Sequence, residues 1–148
     1  MPSNQPSAFL VLSNIFDLSL SQLWQSLTWP KAIQQWFFKE IQDFKPIKGF
    51  KTAFVFCNEN ESYTHCWEVL EAVDQQKLTI LWHYKECPGQ MKVIFELLPK
   101  GQGVQLQLCV FILKPFPDKA AFSAPVMERG WCDLIQNRLL NFINQTTF

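Results

Sequence analysis

Few side chains in this chain are of a type and spacing that could do chemistry. Two histidines, His65 and His83, five cysteines and a scatter of carboxylates make up the inventory. A metal site needs three or four converging ligands. His65 and Cys66 are adjacent in an extended stretch, so they point to opposite faces and cannot chelate together. Both histidines are expected to be structural or surface residues. Cys87 precedes Pro88 in a turn-like stretch, but nucleophilic catalysis also requires a partnered base. His83, four residues earlier along a strand, lies too far away to be that base. Glu68 and Glu71 are expected on opposite faces of one strand, which disfavours a paired-carboxylate site. Glu71 is then either a buried carboxylate in an interior site or one half of a cross-strand ion pair. The Gly101-Gln102-Gly103 turn lacks the lysine and following helix of a phosphate loop. No catalytic set, metal site or cofactor site emerges.

The cysteines are Cys57, Cys66, Cys87, Cys109 and Cys132. Their number is odd and no C-x-x-C pair occurs, which suggests free thiols in a reducing compartment. All but Cys87 are expected to be buried or half-buried fillers. Met1 to Ser7 has no basic region, and Ala8 to Leu12 is too short for a signal or spanning segment. A cytoplasmic location without a membrane span is expected. The 13 basic and 13 acidic residues cancel. No basic cluster is present, which argues against a nucleic-acid partner.

The elements that would position these groups follow from periodicity. Phe9–Ile15 is an apolar run of strand length. Asp17 or Ser19 can cap a short helix carrying Leu20, Leu23, Trp24 and Leu27 on one face. Pro30 opens a second helix, with Ile33, Trp36 and Phe37 as its stripe, expected to end before Pro46. From Phe44 to Cys57 the period falls to two, and Asn58 to Glu61 reads as a hairpin loop. Further strands are expected at Tyr63–Val73, Leu78–Lys85, Met91–Leu98 and Val104–Leu113. The last alternates most clearly, with Val104, Leu106, Leu108 and Val110 opposite Gln105 and Gln107. Lys114 to Pro125 is proline-rich and reads as a loop or lid. Val126–Ile143 reads as a long helix whose apolar face holds Trp131, Leu134, Ile135, Arg138, Leu139, Phe142 and Ile143. Strands in a run beside segregated helices define an α+β domain spanning 1–148, with an ordered core over about 8–144.

Several motifs in this order resemble a known family. Leu23-Trp24-Gln25-Ser26-Leu27-Thr28-Trp29-Pro30 is similar to V-W-x-A-L-T-D-P, and Trp36-Phe37 follows at the family's W-F. Val69-Leu70-Glu71 and Leu78 to Trp82 match V-L-E and L-x-x-x-W. Val93 to Leu97, Gly103 to Leu106 and Gly130-Trp131 with Leu134 and Leu139 match later motifs. Together they resemble the START-like, or polyketide-cyclase-like, SRPBCC superfamily. Within it the chain looks most like bacterial relatives of the Aha-type activators of the heat-shock chaperone ATPase. Departures make the interior and rim more aromatic: Trp29 replaces an Asp, Trp67 displaces a Gly, and an apolar stretch around Cys109 to Ile112 replaces a His.

The resemblance implies a helix-grip fold, in which a curved antiparallel sheet wraps a long C-terminal helix and two short helices follow the first strand. It also implies a cavity between sheet and helix. Its expected wall is Trp36, Phe37, Trp67, Glu71, Trp82, Tyr84, Phe95, Leu106, Leu108, Val110, Trp131 and Ile135. The aromatic members either line that space or fill it. The expected function is non-catalytic binding of a small hydrophobic ligand, gated by the Lys114–Pro125 loop. The alternatives are a co-chaperone-like or homodimerising module presenting Trp29, Phe37 and Phe38, and an enzyme using Glu71, His83 and Tyr84.

Overall fold

The structure is a computed structural model and describes residues 7–58 and 61–148. The expected loop tip at Glu59 and Asn60, and Met1 to Pro6, lie outside the described residues.

Among the described residues, six strands form one antiparallel sheet: β1 (Leu10–Phe16), β2 (Lys51–Asn58), β3 (Glu61–Val73), β4 (Lys77–Tyr84), β5 (Gln90–Lys100) and β6 (Gly103–Lys114). Their spatial order is β1-β6-β5-β4-β3-β2, so the first two strands end up as the two edges. Alternation dictates the inner face. In β6, Val104, Leu106, Leu108 and Val110 are fully buried while the intervening residues are half-exposed. The register sets Leu108 against Phe95 and Val110 against Val93 on β5, so neighbouring strands turn their apolar residues to the same side.

Two helices connect the edge strands. In α1 (Leu20–Thr28) the cap is Ser19: its Oγ accepts from the Gln22 backbone N–H, and Gln22 Oε1 accepts from the Ser19 N–H. This reciprocal pair satisfies two otherwise orphaned donors. Trp29 ends α1 and begins α2 (Pro30–Trp36), with Pro30 in its first turn. The Trp36 indole N–H donates to the Ser26 carbonyl at 2.7 Å, tying the two helices together.

The second helix ends at Trp36, before Pro46 as expected, with Phe37 of its expected stripe at the C-cap, and β2 occupies Lys51–Asn58, the later part of the stretch where the period falls to two. The break falls at Phe37 and Phe38, whose rings both pack into the core. Breaking the helix packs the two rings side by side at 5.0 Å. The chain then returns along the core, anchored by buried Ile41 and Phe44, with Gln34 Nε2 donating to the Ile41 carbonyl.

After β6, residues 115–123 form a loop containing one short turn of 3-10 helix (Ala120–Phe122). The C-terminal helix consists of α3 (Ala124–Cys132), a π-helical segment (Asp133–Leu139) and α4 (Leu140–Gln145). Trp131, Ile135, Leu139 and Ile143 are its buried residues. Arg138, expected within the stripe, is exposed. No helix among the described residues is long and apolar enough to cross a membrane.

Candidate functional site

A cleft of about 230 Å³ remains between the sheet and the C-terminal helix. The sheet contributes Phe56, His65, Trp82, Tyr84 and Met91. Phe38 closes one side. Ala121 from the loop, and Val126, Met127, Gly130, Trp131 and Leu134 from the helix, form the rest of the wall. None of these is an aspartate, glutamate, lysine or arginine, so histidine and tyrosine are the wall's titratable groups.

The expected cavity residues divide three ways. Trp82, Tyr84 and Trp131 line the cleft. Trp36, Phe37, Trp67, Phe95, Leu106, Leu108, Val110 and Ile135 are buried in the packed core outside it. Phe37 explains much of this filling. Its ring lies 4.7 Å from Trp36, 5.2 Å from Trp67, 5.8 Å from Trp82 and 6.0 Å from Trp131, in the middle of the space between them.

Glu71 is not part of the cavity wall and takes the other expected place, in a cross-strand ion pair. It lies on the outer face with a side chain 49% exposed and an ion pair to Lys77 at 3.6 Å. A register shift between Val69 and Glu71 inserts an extra residue into β3. The bulge reverses the alternation and puts Glu71 on the same outer face as Glu68, which pairs with Lys51. His83 is also on the outer face, directly opposite Cys66. Glu71, His83 and Tyr84 therefore do not converge. Cys57, expected as a filler, is exposed. Among the described residues, no group of three or more His, Cys, Asp or Glu side chains is placed to hold a metal ion.

His65, expected to be a structural or surface residue, is buried on the cleft wall. It is only 6% exposed. Its imidazole stacks on Phe54 at 5.0 Å and meets Phe38, Trp82 and Tyr84 at 5.0, 5.6 and 4.8 Å. Burial drives its pKa down to about 4, against a weaker upward pull from the Glu86 carboxylate. Glu86 is itself held below its usual range by hydrogen bonds from the Thr64 hydroxyl and backbone N–H. Burial raises the Tyr84 phenol well above its ordinary value. At neutral pH both groups are uncharged.

Three polar atoms in this nest have no protein hydrogen-bond partner: His65 Nδ1, Trp67 Nε1 and Trp82 Nε1. The Trp82 N–H is close enough to the Tyr84 oxygen to favour phenolate slightly, but forms no bond of normal geometry with it. An orphaned buried polar group typically costs about 1–3 kcal/mol, and native interiors contain few of them.

The loop lies beside the cleft, to which it contributes Ala121. Phe116 and Phe122 stack at 5.3 Å and pack on Tyr84 at 5.8 and 5.4 Å. Lys119 Nζ donates to the Tyr63 hydroxyl at 3.3 Å and lies 3.6 Å from Glu61. Phe116 fits because position 89 is glycine. A Cβ there would sit 2.1 Å from the Phe116 ring, and the backbone has φ +120°.

A curved six-stranded sheet closed on a C-terminal helix, with two helices after the first strand, defines a helix-grip domain. Residues 17–142 match the family model described as Activator of Hsp90 ATPase homolog 1-like protein, and the chain belongs to that family. No curated protein matches the chain.

Solved structures share the fold. The CV1439 protein of Chromobacterium violaceum is 15% identical, with a TM-score of 0.76 over 93% of this chain and 97% of its own. The MLL2253 protein of Mesorhizobium loti is 23% identical, with a TM-score of 0.74 over 94% and 98%. DynU16, a protein of the dynemicin biosynthetic locus, is 15% identical with a TM-score of 0.72. The match covers 92% of this chain but only 47% of DynU16, so this chain spans about half of that protein's length.

Proposed function

We propose that the protein is a non-catalytic binder of a small hydrophobic molecule, held in the cleft between the sheet and the C-terminal helix. The observation that carries this reading is the cleft wall, which is aromatic and aliphatic and holds no fixed charge. Each 100 Å² of apolar ligand surface removed from water contributes about 2.5 kcal/mol. The cleft is smaller than the roughly 300–1,000 Å³ of sites for drug-sized ligands, so the occupant is a compact ring system. The Lys119 contacts to Tyr63 and Glu61 hold the loop that supplies Ala121 to the wall.

Two of the three methionines, Met91 and Met127, line the cleft and report on it. With ¹³C-methyl methionine labelling, naphthalene or 2-naphthol is expected to shift both resonances saturably. Silence of both residues toward both probes overturns the reading. Native mass spectrometry and solvent extraction of protein from its own cells then identify the natural ligand class.

A second reading, an interaction or homodimerising module, rests on Trp29. This residue is 56% exposed beside Lys31, in an open surface depression of about 590 Å³ that also includes Phe142 and Phe148. The other two aromatics expected on that surface, Phe37 and Phe38, are turned inward. A concentration-dependent dimer that Trp29→Ala abolishes, seen by sedimentation, favours this second reading.

A further inference from the structure

We propose that the cleft selects an uncharged, hydroxyl-bearing ring molecule, and that Trp82 and His65 recognise its oxygen. The inference rests on the ligand-binding reading above and specifies the chemistry of the ligand.

The side chains of Trp82 and His65 both form part of the cleft wall, with ring centroids 5.6 Å apart. Each carries a buried polar atom without a protein partner. The rings that enclose His65 are Phe38, Phe54, Phe56, Trp82 and Tyr84. The rings around Trp82 are Phe37, Phe38, His65, Trp67 and Trp131. Its N–H lies near the Tyr84 oxygen but forms no bond of normal geometry with it. Both atoms are buried, so an occupant reaches them only if the wall rings turn aside.

The indole N–H can only donate. The occupant must therefore present an acceptor to it. Neutral imidazole has one donating and one accepting nitrogen, and Nδ1 takes whichever role its partner demands. A hydroxyl meets both requirements at once: its oxygen accepts from Trp82 Nε1 and its proton goes to His65 Nδ1. An ether satisfies only the indole. An ionised carboxylate or phenolate enters a wall with no cation and approaches the Glu86 charge that already acts on His65. The favoured chemistry is thus a neutral phenol or ring alcohol of compact size.

The test compares 2-naphthol, naphthalene and 2-naphthoate at pH 7, read on the Met91 and Met127 methyl resonances and on the indole ¹⁵N–¹H resonance of Trp82. The expected result is that 2-naphthol binds about tenfold or more tightly than either of the others, the worth of one or two net hydrogen bonds. It also moves the Trp82 indole proton downfield, a change that naphthalene does not produce. His65→Phe and Trp82→Phe each erase the preference while naphthalene still binds. The wild-type indole shift stands as evidence even if a variant fails to fold. Equal binding of naphthalene and 2-naphthol, or tighter binding of 2-naphthoate, overturns the oxygen recognition and leaves the apolar-binder reading standing. If none of the three moves either methionine, that reading falls and the inference falls with it.

Discussion

Replacing Phe37 with alanine is expected to lower stability by about 3–5 kcal/mol and to enlarge the interior next to the cleft. Phe37 is 4% exposed and packs against Trp36, Phe38, Trp67, Trp82 and Trp131. Those neighbours belong to a helix, the segment after it, two strands and the C-terminal helix, so no single element can move in to fill the gap. The cost therefore includes both the lost transfer energy and the residual cavity. Urea unfolding monitored by tryptophan fluorescence measures it. Phe37→Leu retains most of the volume and should lose clearly less. A loss below about 1 kcal/mol for the alanine variant would mean that the ring is not the packing centre described above. The same variant should accept larger apolar probes, because the new space adjoins the Trp82 and Trp131 walls of the cleft.

Acidification should destabilise the folded protein well before the carboxylates titrate. The folded-state pKa of His65 is about 4, against 6.5 for an ordinary histidine. Between those values the unfolded chain binds a proton that the folded chain refuses, so stability falls as pH drops from about 6.5 toward 4. At about 1.4 kcal/mol per pH unit, the full loss is about 3 kcal/mol. Above pH 6.5 this contribution is flat. Glu86, whose pKa is lowered by its Thr64 hydrogen bonds, adds a loss of the same sign only at lower pH, as its carboxylate protonates. Urea midpoints at pH 7 and pH 4.5, for the wild type and His65→Phe, separate the two groups. The variant should lose the slope in the upper window. An equal slope in both proteins would place the proton uptake elsewhere.

Much of this fold can be read from local pattern. The alternation of Val104 to Val110 already specifies which face of β6 is buried. The cap at Ser19 and Pro30 in the first turn of α2 locate the helix starts. What pattern cannot show is a change of phase. The bulge between Val69 and Glu71 leaves the sequence looking regular, so the inner-face set extrapolates one residue too far and includes Glu71. The helix break at Phe37 is equally hidden, because Phe37 continues a helical stripe. The place of His65 on the cleft wall was hidden for a different reason. A lone histidine in a strand is usually unremarkable, and its character here comes from rings that Phe38, Phe54, Trp82 and Tyr84 deliver from three separate segments. The one available signal was its even spacing from Trp67 and Val69, which puts it on the buried face.

The C-terminal helix carries its buried residues every fourth position, at Trp131, Ile135, Leu139 and Ile143. On an α-helix of 3.6 residues per turn such a repeat drifts steadily around the axis. The wider π turns at Asp133–Leu139 take up that drift and hold the four side chains in line against the sheet. The spine of the grip thus carries extra chain length in its middle, between Trp131 on the cleft wall and Ile143 in the packed core.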